Sequence, residues 1–264
     1  MLWSDIKEEP NHDAIAVNVA SMPALDRELR RHLTAYEGFA LATLNLDHVI
    51  KLRSEPAFAA AYRQHSHITA DGNPIVWLSR VAGDDVALLP GSDLIRPIAK
   101  IAAECGAGLA LLGSTEDTLS RAAQALKDAT PGLKVTCQIA PPMGFDPTGP
   151  LAAEYIETLK ASGAQLCFVA MGAPKQEIFA SFASQHLPEM GFVSIGAGLD
   201  FIAGHQTRAP LWVRKIAAEW LWRLLQNPRR MAARYGLCFA VLPGLLIRAL
   251  KTRLSLRNAS SSVS

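Results

Sequence analysis

The 264-residue sequence predicts an α/β fold: a Rossmann-like, mostly parallel sheet with flanking helices, carrying a basic helical appendage at its C-terminal end. Two observations predict the sheet and a third predicts the appendage. Short apolar runs alternate with helical patterns. Hydrophobicity within those runs is continuous rather than alternating, which marks strands buried on both faces of a parallel sheet. From Arg208 to Arg257 there are eleven Lys/Arg and a single acid, Glu219, whereas the remainder holds fifteen bases and twenty-three acids. The expected division is an α/β domain over residues 1–205, a basic amphipathic appendage over 206–257 and a disordered end over 258–264.

Taken in order, Met1 to Asp13 carries Asp5, Glu8 and Glu9 and no apolar h-region, so it reads as neither a signal peptide nor a transmembrane start. Strands are expected at Phe39 to Asn45, His67 to Asp71, Gly108 to Ser114, Gln165 to Gly172 and Phe192 to Gly196. A helix is expected after Ser114, where Ser114 and Asp117 make a capping-box pattern, and another from Pro174, which suits a first helical turn. Four cysteines, Cys105, Cys137, Cys167 and Cys238, stand singly without a C-x-x-C pair. That spacing argues against a zinc cluster or disulfide scaffold and fits a reducing, cytoplasmic setting.

In the appendage, Trp212, Ile216, Trp220 and Arg223 recur at helical spacing until Pro228. A second apolar segment, Leu237 to Ile247, is interrupted by Pro243 and Gly244 and falls short of the roughly 20 residues that cross a bilayer. Trp and Leu beside Arg and Lys suit a segment lying in an anionic membrane interface. A core helix followed by a solvated basic tail is the competing reading.

Parallel α/β sheets bind ligands at the carboxyl ends of their strands. Those ends collect Thr43 and Asn45, Asp71 and Gly72, Gly113 and Ser114, Gly172 with Lys175 and Gln176, and Gly196 with Gly198 and Asp200. Glycines and helix starts at such ends favour a diphosphate-bearing ligand. G-A-G-L-D from Gly196 is not a full G-x-G-x-x-G, and no P-loop is present, so no dinucleotide cofactor is expected. His65 and His67 form an H-x-H pattern without an evident third ligand; the expected reading is structural, with no metal site.

Six ordered motifs carry a resemblance. They are T-L-N-L-D-H-V from Thr43, A-D-G-N-P-I-V-W from Ala70, G-S-D-L from Gly91, M-G-A-P-K-Q-E from Met171, I-G-A-G-L-D-F-I-A-G from Ile195, and R-A-P-L-W from Arg208 with E-W-L-W-R-L-L-Q-N-P-R-R from Glu219. Over roughly Val17 to Tyr235 the chain resembles the WecG/TagA/CpsF glycosyltransferases. The resemblance implies an inverting, metal-independent transfer of a sugar from a UDP-sugar to a polyprenyl-diphosphate-linked saccharide, at the inner face of the bacterial membrane. It implies Asp71 as the base that takes the acceptor proton, although Asp-Gly alone is also a common turn pair. Thr43, Asn45 and Gln176 would orient hydroxyls, and Gly113, Ser114, Gly172, Lys175, Gly196 and Asp200 would surround the nucleotide. Arg208, Arg214 and Arg223 would neutralise the diphosphate without a metal. Relatives commonly carry Arg where Leu88 stands, three residues before Gly91, with Arg80 and Arg96 nearby. No cofactor is implied, and the donor sugar, acceptor glycan and oligomeric state stay open.

Two other classes compete. A soluble nucleotide-sugar epimerase or reductase would need the full glycine fingerprint and a Tyr-x-x-x-Lys pair, and none of Tyr36, Tyr62, Tyr155 and Tyr235 has Lys four residues on. A nucleic-acid module could use the basic tail, but Trp embedded in an amphipathic pattern suits an interface better than an exposed stacking platform. No nucleic-acid partner is expected.

Overall fold

The computed structural model describes residues 1–3, 14–207, 209–210, 212–213, 216–226 and 228–261, except for the side chains of 223, 230, 233, 234 and 259–261. The elements run α1 (Met22–Ala35), β1 (Phe39–Leu44), α2 (Leu46–Ser54), α3 (Pro56–Arg63), β2 (His67–Ala70), α4 (Asn73–Ala82), α5 (Gly91–Glu104), β3 (Gly108–Gly113), α6 (Glu116–Ala129), β4 (Lys134–Ile139), α7 (Pro150–Ala161), β5 (Leu166–Ala170), α8 (Lys175–His186), β6 (Gly191–Ser194), α9 (Gly198–Ile202), α10 (Glu219–Gln226) and α11 (Pro228–Ser261). All six strands form one parallel sheet in the order β2-β1-β6-β5-β3-β4. The chain leaves β1 for β2 on one side and reaches β6 from β5 on the other.

Side chains alternate between the two faces of each central strand. Phe39, Leu41, Leu109, Leu111, Phe168 and Val193 pack beneath α1, α5 and α6, with Leu25, Leu29, Ile95 and Ile98. Ala42 and Leu44 face the other way, against Phe58, Tyr62 and Ile75 of α3 and α4. On that same second face, Cys167, Val169 and Phe192 meet Phe179 of α8. Both faces are thus buried, which is why β1, β3 and β5 read as unbroken apolar runs.

The structure corrects several expectations in detail. Each expected strand is shorter by one to three residues, and β6 begins one residue earlier, at Gly191. A sixth strand, β4, was not expected. It lies at the sheet edge and alternates exposed and half-buried residues through Lys134–Gln138, so K-V-T-C-Q-I carries no continuous apolar run. The cap of α6 is Thr115, whose side chain accepts from the Thr118 N–H at 3.3 Å, and not Ser114. Pro174 is the N-cap of α8, one residue before its first turn.

The C-terminal segment differs most from expectation. Leu237 to Ile247 belongs to the single helix α11, which runs through Pro243 and Gly244 to Ser261, into the stretch expected to be disordered. Residues 262–264 lie outside the described residues, as do Asp5, Glu8 and Glu9. Cys238, Leu245 and Ala249 of α11 are buried in the cluster that contains Ala42, Leu44 and Ile75. One face of the helix is thus part of the core. Its other face leaves Phe239, Leu246, Ile247, Leu250 and Leu254 exposed. Among the described residues, no helix is long and apolar enough to cross a membrane.

Candidate active site

A cavity of about 480 Å³ lies at the carboxyl ends of β1, β2, β5 and β6. Its size falls in the ordinary range for small-molecule sites. Thr43 sits near the end of β1, and Asn45 follows the strand as the N-cap of α2, its Oδ1 accepting from the His48 N–H at 3.0 Å. One turn into α2, Asp47 pairs with Lys51 at 3.0 Å, and the Lys51 ammonium also donates to the Ala173 carbonyl at 3.2 Å. That bond ties α2 to the loop after β5. Asp71 follows β2, held by its own N–H donating to the Leu44 carbonyl at 2.7 Å. Gly72 then turns the chain into α4 with φ 99°, a conformation in which a side chain would be strained.

Helix starts define the electrostatics of this cavity. α4, α5 and α8 all begin on it without a side-chain cap, their N-caps being Gly72, Pro90 and Pro174. The short α9 begins there too, after Gly196 and Ala197, again without a side-chain cap. Positive dipole ends therefore converge on one space, an arrangement that favours phosphate-type anions, although the Ile75, Asp93, Gln176 and Gly198 N–H groups already donate to the Gly72, Pro90, Gly172 and Ile195 carbonyls. Among the described residues no arginine lines the cavity, and Lys51 is its cation.

Gln176, in the first turn of α8, bridges two sides of the site. Its Oε1 accepts from the Gly196 N–H at 2.9 Å, and its Nε2 donates to Glu177 Oε1 at 2.7 Å. Glu177 is fully buried, and burial pushes its carboxyl up to about 7 against the pull of the Gln176 amide. Its Oε2 has no partner among the described residues. Tyr62, also fully buried, lies with its hydroxyl 3.3 Å from His48 Nδ1, and burial raises its phenol well above the ordinary range.

Of the residues singled out in the sequence, the fold brings Thr43, Asn45, Asp71, Gly172, Gln176 and Gly196 to this one cavity. Gly113, Ser114, Lys175 and Asp200 do not line it. Gly113 has a packing reason to be glycine, since at φ 120° a Cβ would fall onto the Ala170 carbonyl. Ser114 Oγ donates to Asp200 Oδ1 at 2.8 Å, and Gln206 Nε2 donates to Asp200 Oδ2 at 3.1 Å, so both carboxylate oxygens are engaged within the fold. Lys175 donates to the Phe145 carbonyl at 2.8 Å. Arg208 and Arg214, and the side chain of Arg223, lie outside the described residues. Leu88 lines the cavity, while Arg80 and Arg96 are exposed and outside its lining.

The two histidines of the H-x-H pattern separate. His65 donates from Nδ1 to the Ala61 carbonyl at 2.9 Å and stacks near Tyr62, while His67 contacts His32 and Phe39. Burial lowers both to about 4, so they are neutral at ordinary pH. Glu28, His32 and His67 do approach one another, and the Arg31 guanidinium already engages two of them, 2.9 Å from His32 Nε2 and paired with Glu28 at 3.4 Å.

Sequence reasoning missed the roof of the cavity. Trp220 of α10 and Tyr235 and Phe239 of α11 line it, with the Trp220 ring 6.0 Å from Tyr235 and 5.4 Å from Phe239. Trp220 was visible as part of an amphipathic face, but nothing local said that this face would fold back over the sheet. Asp47, His48 and Lys51 were also missed, although T-L-N-L-D-H-V places the first two directly beside Asn45. Among the described residues, the carboxylates lining the site are Asp47, Asp71 and Glu219, and Asp47 pairs with Lys51.

One comparison with known proteins speaks to this arrangement. The family model described as "Glycosyl transferase WecG/TagA/CpsF family" matches residues 13–259, nearly the whole chain, and the chain belongs to that family.

Proposed function

We propose that this member of the WecG/TagA/CpsF glycosyltransferase family moves a sugar from a UDP-sugar to a polyprenyl-diphosphate-linked saccharide, inverting the anomeric centre and requiring no metal. The observation that carries the reading is the convergence of the uncapped starts of α4, α5 and α8 on a cavity that also holds Asp71. The helix starts and Lys51 stabilise the diphosphate as its negative charge develops, the task for which preorganised dipoles are most effective. Arg208, Arg214 and Arg223 are proposed to add to that stabilisation from the C-terminal segment.

Asp71 takes the proton of the acceptor hydroxyl. The freed oxygen forms the new bond to the anomeric carbon, and the bond from that carbon to the diphosphate oxygen breaks on the opposite face, releasing UDP. Thr43, Asn45 and Gln176 orient the sugar and acceptor hydroxyls. Gly172 and Gly196 let the diphosphate approach the backbone. Ser114 and Asp200, engaged with each other, back the site from outside.

The acceptor's lipid places the reaction at the inner face of the cytoplasmic membrane. The exposed apolar face of α11, together with its bases Arg248, Lys251, Arg253 and Arg257, supports peripheral binding to an anionic leaflet. The direct test is incubation with a panel of UDP-sugars and a short-chain lipid diphosphate, with products weighed by mass spectrometry. A product heavier by one sugar, formed equally in EDTA, is expected. Activity lost in chelator and restored by Mg²⁺ or Mn²⁺ would overturn the metal-free part.

A further inference from the structure

A buried carboxylate that the chemistry above does not use sits one residue from the cavity. Glu177 is fully buried in the first turn of α8, and its Oε2 lacks a partner among the described residues. Burying such a group costs stability that an apolar residue of similar size would not. Its placement therefore calls for a task outside packing.

That task is visible in the amide of Gln176. The two ends of a glutamine amide are nearly the same shape, so its orientation is set by what each end meets. Here Oε1 meets the Gly196 N–H at 2.9 Å and Nε2 meets Glu177 Oε1 at 2.7 Å. Oε1 of Glu177 can accept from that Nε2 whether the carboxyl is ionised or carries its proton on Oε2. A reversed amide would set two oxygens against each other at Glu177 and two donors against each other at Gly196. The observed orientation leaves the second N–H of Gln176 for a ligand and holds the Gly196 turn at φ 58°, where α9 starts on the cavity.

We propose that Glu177 is a positioning residue: it locks the Gln176 amide, and through it the Gly196 turn, in the orientation that turns the second Gln176 N–H to a bound diphosphate. This rests on the reading that the cavity takes a diphosphate-bearing donor. Glu177 touches no substrate and acts only through Gln176.

The test is calorimetric titration of the full chain with UDP and, separately, with inorganic pyrophosphate, alongside thermal unfolding. Glu177→Leu is expected to melt at or above the wild-type temperature, because it removes a buried acid, yet to bind both probes about tenfold more weakly. Glu177→Gln keeps an acceptor for Nε2 and is expected to bind within about twofold of wild type. Gln176→Ala should lose a similar factor, and the double variant Glu177→Leu/Gln176→Ala should bind no more weakly than Gln176→Ala alone, because the two residues act as one unit. If Glu177→Leu does not fold, Glu177→Ala serves in the same cycle. Wild-type affinity in the apolar variant, or additive losses in the double variant, would overturn the proposal. Wild-type binding of pyrophosphate but not UDP would remove the nucleotide while the Glu177 comparison is still read on pyrophosphate, and binding of neither would overturn both.

Discussion

The two halves of the sheet end differently. Over β2, β1, β6 and β5, the helices α4, α5 and α8 start on a cavity without side-chain caps. Over β3 the polar groups close on themselves. Thr115 caps α6, Ser114 and Gln206 hold Asp200, and His205 meets Thr118 at 3.1 Å and Asp117 at 3.0 Å. Both halves present glycine and small polar residues at strand ends, so in the sequence they look alike. What separates them is whether a side chain already satisfies the helix start, since only an unsatisfied start has donors to give a ligand.

Asp71→Asn should break the contrast most visibly. General-base removal commonly costs about 10² to 10⁴ in rate, so turnover should fall by that order while UDP affinity and melting temperature hold. Asp200→Asn, in the closed half, should leave turnover within a few-fold of wild type, by order of magnitude. A large loss in Glu219→Gln with little in Asp71→Asn would move the base to the roof of the cavity.

The C-terminal helix permits a similar separation of faces. Paired Leu246→Glu and Leu250→Glu changes lie on exposed positions of α11 and should abolish flotation with anionic liposomes without altering UDP affinity. Removing the whole segment is a poorer experiment, because Cys238, Leu245 and Ala249 would leave the core with it.

Glu177 makes the open half sensitive to pH in a defined direction. Its carboxyl is raised by burial to about 7, so its contribution to stability is fully present below the unfolded-state pKa near 4.5 and is lost as pH rises through about 7. Glu177→Gln should therefore raise the melting temperature more at pH 8 than at pH 5. Equal gains at both values would mean that the carboxyl does not titrate in this range. The smallest effect is expected in the closed half, where Thr115→Ala should cost about 1 kcal/mol in denaturant unfolding and nothing in UDP binding.

Much of this architecture was legible in the sequence, because buried parallel strands announce themselves. F-A-L-A-T-L and L-C-F-V-A are unbroken apolar runs since both faces of the sheet are covered. Edge strand β4 was invisible for the converse reason: alternating exposure leaves no run to detect. Within the site, Asp71, Asn45 and Gln176 stood out through their motifs, whereas Gly113 and Asp200 drew attention at strand ends, Asp200 within I-G-A-G-L-D, and lie outside the cavity lining, Gly113 tight against Ala170 and Asp200 bonded to Ser114 and Gln206. The aromatic roof of Trp220, Tyr235 and Phe239 depends on α11 folding back over α4 and α2, a long-range contact that no local pattern encodes.

Hydrogen exchange with and without UDP, resolved by peptide, tests the contrast between the two halves most directly. Amides at 72–73, 75–76, 91–95, 175–178 and 196–199 should gain protection when UDP is bound, while those at 113–119 and 200–206 should exchange unchanged. Protection concentrated at 113–119, with the starts of α4, α5 and α8 unaffected, would place the diphosphate over β3 and contradict the assignment of the open half as the site.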